Sequence, residues 1–490
     1  MPPYDRLIAE LKELDNLAAA ARLLNWDQET GMPSGGETAR AEVMSTLAKL
    51  LHERSVSPHL AELVVSAHAG ATTPDRKRQL ELVERDLVRA RKIPSDLVER
   101  LARATSISQQ VWSRARKDRD FSTFLPRLEE VVELKREEGA LLAPEGGTPY
   151  DGLLSDYERG MRESDWTALF DELEAELPGL AREIHERQAP VRERLSMRPG
   201  LEGPFPREAQ LHVCRELAKS IGYDFERGRL DLSAHPFSET IHAGDSRITT
   251  RIDTSDLCGS VYSTLHETGH ALYEQGLPVA LLGTPLGAYC SMSVHESQSR
   301  LWENLVGRSD AFWESRWQLL RDAFPALAQV DLADWTAHSR RVEPSLIRTE
   351  SDEVTYNLHV LVRFRLEKAL IAGDLQARDL PDAWTESYRR IVGAVPAHAG
   401  EGVLQDVHWS AGLFGYFPTY TLGNLLSAQL FRAAKEQGAT EDLGSLLTWL
   451  RQRIHARARH LETPDLIREA TGRAPSASDF LAHLRERYLG

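Results

Sequence analysis

Apolar positions recur every three or four residues along most of the chain, which predicts a mainly helical protein. In residues 4–26, Leu7, Leu11 and Leu14 follow this spacing and would share one face of a helix. The same spacing predicts helices over residues 37–52, 76–104, 124–142, 163–189, 206–222, 254–275, 295–306, 310–324, 351–372 and 380–392, and over several segments after Tyr420.

No segment has the composition of a linker between domains. Residues 143–150 and 196–205 have the composition of loops between helices, and no repeat of 20–50 residues is present. We therefore expect residues 1–490 to form one helical catalytic domain.

Residues 235–253 break the helical pattern. They are rich in β-branched residues such as Thr240, Ile241 and Ile248, and the turn residues Gly244 and Asp245 lie between the two runs. This pattern predicts a small antiparallel sheet inserted among the helices. Its edge could receive an extended peptide, but a purely structural hairpin is the simpler interpretation.

The charge and cysteine content narrow the class of protein. The chain has 59 Lys+Arg against 74 Asp+Glu, a net charge of −15, which argues against a nucleic-acid surface. Three cysteines are too few for a disulfide framework and indicate a reducing compartment. There is no apolar run of the roughly 18–20 residues that a bilayer span needs, and early acidic residues argue against a signal peptide. We expect a cytoplasmic protein without a membrane partner.

The strongest chemical signal is the sequence His266-Glu267-Thr-Gly-His270 in a predicted helix. Residues four apart share a helix face, so two imidazoles can bind one ion at about 2.0–2.1 Å per Zn–N bond. Glu267 would then lie beside the ion and could activate a water molecule, as in zinc hydrolases. An exposed polar helix turn is the alternative interpretation. The predicted helix has capping oxygens at 253–255 and a stop at Gly276.

A third ligand is predicted on the next helix. Glu296 is our choice, Glu303 is a weaker rival, and His295 is a candidate for supporting a ligand from outside the coordination shell. Two histidines and one glutamate would leave a fourth position open. The metzincin pattern fails, because Gly276 stands where that pattern requires a histidine.

Motifs spread over the whole chain resemble those of the thermostable metallocarboxypeptidases of the Taq carboxypeptidase type. They are 26–36 (WDQETGMPSGG), 149–154 (PYDGLL), 156–158 (DYE), 235–237 (HPF), 245–249 (DSRIT), 266–270 (HETGH), 295–297 (HES), 347–352 (IRTESD) and 402–409 (GVLQDVHW). One departure is Ser351, where the family usually has Ala.

The resemblance implies a saddle-shaped helical subunit of the zincin type with a deep central groove, and a homodimer. It also implies an exopeptidase that removes single C-terminal residues with broad specificity and commonly spares proline. One zinc ion per subunit, or cobalt(II), would be bound by His266, His270 and Glu296, with Glu267 as general base. Peptides with a free C-terminus would be the substrates.

Further roles depend on the same resemblance. Arg348 would bind the substrate carboxylate, as suits a guanidinium fork. An oxyanion donor could come from His408, Tyr416 or Tyr420. Asp352 and Asp406 could orient Arg348 or the metal-bound histidines, or form a structural salt bridge. Asp245 and Arg247, with Thr249, would shape the hairpin beside the groove and could hold the substrate backbone, and His235 would be structural.

Two other functions remain open at this point. One is a zinc oligopeptidase or dipeptidyl carboxypeptidase, which would use the same metal motif. The other is a helical binding protein with a structural metal, although such sites usually close all four positions with protein ligands.

Overall fold

A computed structural model describes residues 1–490 and confirms the mainly helical class. The α-helices are, in chain order, α1 (Pro3–Thr30), α2 (Glu37–Ser55), α3 (Pro58–Ala67), α4 (Pro74–Lys92), α5 (Ser95–Asp118), α6 (Phe121–Leu142), α7 (Pro149–Leu154), α8 (Glu163–Arg187), α9 (Ala189–Ser196), α10 (Arg207–Ser220), α11 (Leu257–Gly276), α12 (Met292–Arg300), α13 (Asp310–Glu314), α14 (Trp317–Ala323), α15 (Leu332–Ser339), α16 (Tyr356–Ala372), α17 (Leu380–Ser387), α18 (Phe417–Glu436), α19 (Leu443–Arg453), α20 (Thr463–Thr471) and α21 (Ser478–Tyr488). Two π-helical segments, Leu301–Val306 and Tyr388–Val392, continue α12 and α17. None of the helices combines the length and apolar composition of a membrane span.

The helix predicted over 76–104 is two helices, α4 and α5. Pro94 separates them, and Ile93 before it is extended, with φ −89° and ψ 117°. A residue that precedes proline is disfavoured in the helical region, which explains the break. The helix predicted over 310–324 is likewise divided into α13 and α14.

The sheet has three strands: β1 (Leu230–Leu232), β2 (Ser238–His242) and β3 (Asp245–Thr250), in the order β1-β3-β2. Strands β2 and β3 form the predicted hairpin, and Gly244 takes a φ of +80° in its turn. The antiparallel pairing predicted within residues 235–253 is confirmed for β2 and β3, but the whole sheet is mixed, because β1, which precedes these residues, pairs with β3 in parallel. Three residues are too few to show an alternating pattern, so β1 could not be predicted from the sequence.

Two hydrophobic cores position the site. The larger one surrounds α16 and α18, which bury residues on nearly all sides. A separate small core joins α1, α3 and α4 through residues such as Leu7, Leu63 and Leu80. Helix α2 buries no residue of its own and packs on α1. Helices α1 and α2 form one wall of a cavity of about 1910 Å³. Helices α11 and α12 and strand β2 form other parts of its lining.

Candidate metal centre and substrate groove

Helix α11 presents His266 and His270 one turn apart toward α12. Gly269 allows this close packing, because a Cβ atom there would lie 2.6 Å from the carbonyl oxygen of Gln298. Asp256 caps the helix by accepting a hydrogen bond from the Gly259 amide. The predicted start at 253–255 is therefore slightly early.

Helix α12 brings Glu296 to the two histidines. Ser291 caps this helix, and its hydroxyl accepts a hydrogen bond from the Val294 amide. Helix α18 supports the other side of Glu296, since a Cβ atom on Gly423 would lie 2.5 Å from the Glu296 Cγ. The glutamate is thus held between two helices and is nearly fully buried.

The three predicted ligands lie close enough to bind one ion. The Glu296 Oε2 atom is 3.6 Å from His266 Nε2 and 3.3 Å from His270 Nε2. Ligand atoms at zinc bond lengths and tetrahedral angles are about 3.3–3.6 Å apart. Burial also lowers the pKa of His270 to about 3, which favours the neutral imidazole that binds metal. The donor set therefore fits a single divalent ion.

Glu303, the rival third ligand, instead supports His266 from outside this group. Its Oε2 atom lies 2.9 Å from His266 Nδ1, and the glutamate pairs with Arg300 at 3.2 Å and with Arg308 at 3.3 Å. A carboxylate on Nδ1 fixes the tautomer in which Nε2 is free to bind a metal.

His270 has a different support, made of a second histidine and a carboxylate. Its Nδ1 atom is 2.6 Å from His295 Nδ1, and His295 Nε2 is 3.0 Å from Glu274 Oε1. The rings of His270 and His295 stack with centroids 4.5 Å apart. His295 thus lies next to His270 and outside the three clustered side chains, and its role in supporting a ligand stays a prediction. Glu274 was not predicted from the sequence, although it lies four residues after His270 on the same helix face.

Glu267 is buried in the wall of the cavity, beside the three candidate ligands. Burial raises the pKa of Glu267 to about 7, with Glu296 and Glu303 adding to the rise. A carboxyl with a pKa near neutrality can both take and return a proton during a reaction.

Arg348 lines the same cavity and is held by two partners. Its Nε and Nη2 atoms donate to Asp406 Oδ1 at 3.0 and 2.9 Å, and Nη1 donates to the Tyr356 hydroxyl at 3.0 Å. Tyr356, Tyr416 and Tyr420 also line the cavity. Tyr356 was missed in the sequence, where nothing but its distance of eight residues from Arg348 suggested it.

Other predicted residues lie behind the cavity wall. His408 is not in the lining, its Nδ1 atom lacks a hydrogen-bond partner, and its ring packs 4.3 Å from that of Phe417. Burial lowers the pKa of His408 to about 4. Asp406 also lies behind the wall, where it contacts Arg348.

Three further predicted residues make local structural contacts. Asp245 and Arg247 pair with each other at 2.7 Å on β3, the Arg247 guanidinium lies 5.6 Å from the Trp26 ring centre, and neither residue lines the cavity. Asp352 accepts hydrogen bonds from the backbone amides of Val354 and Glu343, so it contacts neither Arg348 nor a metal ligand.

Comparison with known proteins identifies the family. The sequence profile described as carboxypeptidase Taq (M32) metallopeptidase matches residues 6–488. The chain belongs to this family. It is 44% identical to thermostable carboxypeptidase 1 of Thermus thermophilus, over 99% of this chain and 98% of that protein. As a member of this metallopeptidase family, it is a metal-dependent carboxypeptidase that acts on peptides, and the non-enzyme alternative is set aside.

Solved structures of the same family share the fold. The M32 carboxypeptidase of Deinococcus radiodurans superposes with a TM-score of 0.94 at 38% identity, covering 100% of this chain and 99% of that one. Metallocarboxypeptidase 1 of Trypanosoma cruzi gives a TM-score of 0.95 at 34% identity, again over 100% and 99% of the two chains. The fold class is thus confirmed over the full length.

The motif residue Glu158 gives a stability prediction. It is fully buried near the start of α12, burial raises its pKa to about 7, and its Oε2 atom has no partner. Because the folded state binds this proton more tightly than the unfolded state does, the contribution of Glu158 to stability is lost as the pH rises from about 4.5 to about 7. Glu158→Gln should remove this loss, so that at pH 8 the free energy of unfolding of the variant, relative to wild type, is roughly 3 kcal/mol higher than it is at low pH.

The measurement is thermal unfolding of wild type and variant between pH 4.5 and 8. The exposed Glu436 provides a matched control, and Glu436→Gln should follow the wild-type profile. If Glu158→Gln and wild type show the same pH dependence, the raised pKa of Glu158 is refuted.

Proposed function

We propose that the protein removes single residues from the free C-terminus of peptides with broad specificity, commonly sparing proline, and uses zinc as its working metal. The observation that carries this is the convergence of two Nε2 atoms and one carboxylate oxygen in a cavity wall beside Glu267. Nitrogen and oxygen donors in this combination suit zinc, and they also accept cobalt(II). One ion per subunit would be held by His266, His270 and Glu296.

Glu267 is the proposed general base and acid. When bound, the ion supplies Lewis-acid chemistry that polarises a carbonyl and makes water more acidic. A Glu267 carboxylate oxygen takes the proton of the attacking water and then returns a proton to the nitrogen of the leaving amino acid. The pKa near 7 suits both directions of transfer.

The metal ligands need fixed ring orientations, and the outer groups supply them. Glu303 holds His266 directly, and Glu274 holds His270 through His295. Such partners commonly change metal affinity or activity 10–100-fold when they are removed.

Tyr416 and Tyr420 are the favoured oxyanion donors. Both hydroxyl-bearing rings line the cavity, with their centres 5.2 Å apart, whereas His408 packs behind them against Phe417. In this proposal a tyrosine O–H donates to the scissile carbonyl oxygen, and His408 supports the tyrosine rings rather than touching substrate.

The hairpin would form another wall of the substrate groove. Residues of β2 line the cavity, and on β3 Arg247 contacts Trp26 of α1 while Asp245 pairs with the same guanidinium. We assign these two residues to shaping the groove. We also assign Asp352 a structural role, because it accepts a hydrogen bond from the Val354 amide just before α16.

Arg348 is the proposed binding group for the C-terminal carboxylate. Two of its guanidinium N–H bonds remain after those to Asp406 and Tyr356, and the side chain lines the cavity. Asp406 then acts as the group that orients Arg348.

Replacing Arg348 should weaken the binding of free carboxylates selectively. Arg348→Gln removes a charge-assisted hydrogen bond of about 1.5–3 kcal/mol, so KM for peptides with a free C-terminus should rise about 10–100-fold. Inhibition by a peptide with an amidated C-terminus should change less than twofold. Equal losses for both ligands would refute the assignment.

The product size distinguishes single-residue release from the rival dipeptidyl activity. An N-acetylated pentapeptide and its amidated twin are incubated with zinc-loaded protein, and the products are weighed by mass spectrometry. We expect successive loss of single residues from the acid and little change in the amide. Dipeptides or internal fragments as first products would favour a dipeptidyl carboxypeptidase or an oligopeptidase instead.

The proposal extends to the assembly and location of the protein. Residues from α1 to α18 line one cavity, which supports a single catalytic domain over residues 1–490. A homodimer rests on the family resemblance alone. A cytoplasmic location is supported by three cysteines that form no disulfide.

A further inference from the structure

A second arginine lies directly behind Arg348 and shares its carboxylate partner. Asp406 accepts bonds from Arg348 on Oδ1, and from Arg363 on Oδ2 at 2.7 and 2.5 Å. Arg363 is fully buried in α16, and neither it nor Asp406 lines the cavity. The three side chains form a row that leads from the groove wall into the core.

Arg363 has no freedom to reach substrate. Its Nη1 atom donates to the His359 carbonyl oxygen at 2.8 Å and to the Tyr388 hydroxyl at 3.1 Å, while Nε and Nη2 bind Asp406. The guanidinium also lies 4.7 Å from the centre of the Trp384 ring. Any influence on the reaction must therefore pass through Asp406 and Arg348.

The row carries one more positive charge than negative charge. Asp406 is the ion-pair partner of both arginines, and they hold its pKa well below its usual range against the effect of burial. Apart from Asp406, the groups that contact the Arg363 guanidinium are uncharged: Tyr388, Trp384, Phe417, and His359, whose pKa burial lowers well below its ordinary value. One other acidic group, Glu367, lies one turn further along α16; burial raises its pKa to about 7, and it accepts hydrogen bonds from Trp409, Tyr150 and the Gly415 amide rather than from Arg363. His408, also neutral at pH 7, lies 4.0 Å from Asp406.

A buried charge without a partner is unfavourable, and an incoming carboxylate would relieve it. With a single arginine, Asp406 would neutralise Arg348 completely and would compete with the substrate. With two arginines, one carboxylate is divided between them, and the net charge of the row favours a second carboxylate at the end that lines the cavity. That end is Arg348.

We propose that Arg363 is a positioning residue for carboxylate recognition: by occupying Oδ2 of Asp406, it leaves Arg348 with the net positive charge that selects a free C-terminus. This inference rests on the proposed role of Arg348. It assigns specificity to a residue that never touches the substrate.

The test measures binding of two matched competitive inhibitors, an N-acetylated amino acid and its primary amide, to zinc-loaded protein. Arg363→Gln keeps a polar side chain but removes the charge. We expect inhibition by the acid to weaken roughly tenfold, the order expected for one charge several ångströms away at an effective dielectric of about 20. Inhibition by the amide should change less than twofold, and KM for peptides should rise more than kcat falls.

Arg363→Lys is the conservative variant, and it carries the test if Arg363→Gln does not fold. It retains the charge, so we expect it to keep the preference for the acid within about threefold of wild type. A purely structural role would weaken both inhibitors alike. Loss of the preference in Arg363→Lys to the level of Arg348→Gln, or wild-type preference in folded Arg363→Gln, would overturn the inference.

Arg348→Gln distinguishes a failure of the role of Arg363 from a failure of the proposed role of Arg348. If Arg348→Gln keeps the preference for the acid, the carboxylate role of Arg348 fails, and the inference about Arg363 fails with it. If Arg348→Gln loses the preference and Arg363→Gln keeps it, the role of Arg348 stands and only the role of Arg363 is refuted.

Discussion

Glu267→Gln should lower kcat by about 10²–10⁴-fold and leave the bound metal in place. The amide has nearly the same shape as the carboxyl, but it neither takes a proton from water nor returns one to the leaving amine. Glu267 is not one of the three clustered ligands, so metal affinity should not depend on it. Steady-state kinetics and metal content, measured on the same preparation, check both parts.

Glu436→Gln makes the matched control, since that residue is exposed at the end of α18, and its kcat should equal that of wild type. A Glu267→Gln enzyme with kcat within a few-fold of wild type would remove Glu267 from its catalytic role. Loss of metal from the variant would instead make Glu267 part of the metal centre.

Glu296→Gln should weaken metal binding by more than about 100-fold. It replaces the one anionic donor of the ligand group by a neutral amide, and that loss should exceed the 10–100-fold typical of groups outside the coordination shell. The structure offers a close comparison in Glu303, which contacts His266 Nδ1 and not the ligand-facing Nε2 atom. Glu303→Gln should therefore weaken binding by only about tenfold.

Competition with a zinc chelator gives both affinities without any assay of activity. Far-UV circular dichroism of the metal-free proteins controls for folding. If the two variants exchange their ranks, Glu303 and not Glu296 is the third ligand.

The clustering of His266, His270 and Glu296 could be predicted because these residues lie close together in the sequence. His266 and His270 share a helix face by the geometry of the α-helix alone, and the search for a third ligand needed only the next helix. The pattern of apolar positions likewise predicted most helices, since a buried face leaves its mark every three or four residues. Apolar positions continue at helical spacing on both sides of Pro94, so the pattern alone predicts one helix where the structure has α4 and α5.

Contacts between distant segments left no such mark. Arg363 and Asp406 are 43 residues apart in the sequence, and only tertiary packing brings them into contact. The same is true of the contact between α1 and β2. His408 and Asp406 come from one sequence motif, and both lie behind the cavity wall, 4.0 Å apart, whereas Arg348 from a different motif lines the cavity. Arg348 itself was found through the family motif, since an isolated arginine in a sequence of this kind is by default a surface residue.

The most direct test of the metal centre is a crystal structure of the zinc-loaded protein with anomalous diffraction recorded on both sides of the zinc absorption edge. We expect one ion per chain, bonded to Nε2 of His266, Nε2 of His270 and the carboxylate of Glu296, with Glu267 unbonded beside it. An ion elsewhere in the chain, or a fourth protein side chain completing its coordination, would contradict this expectation.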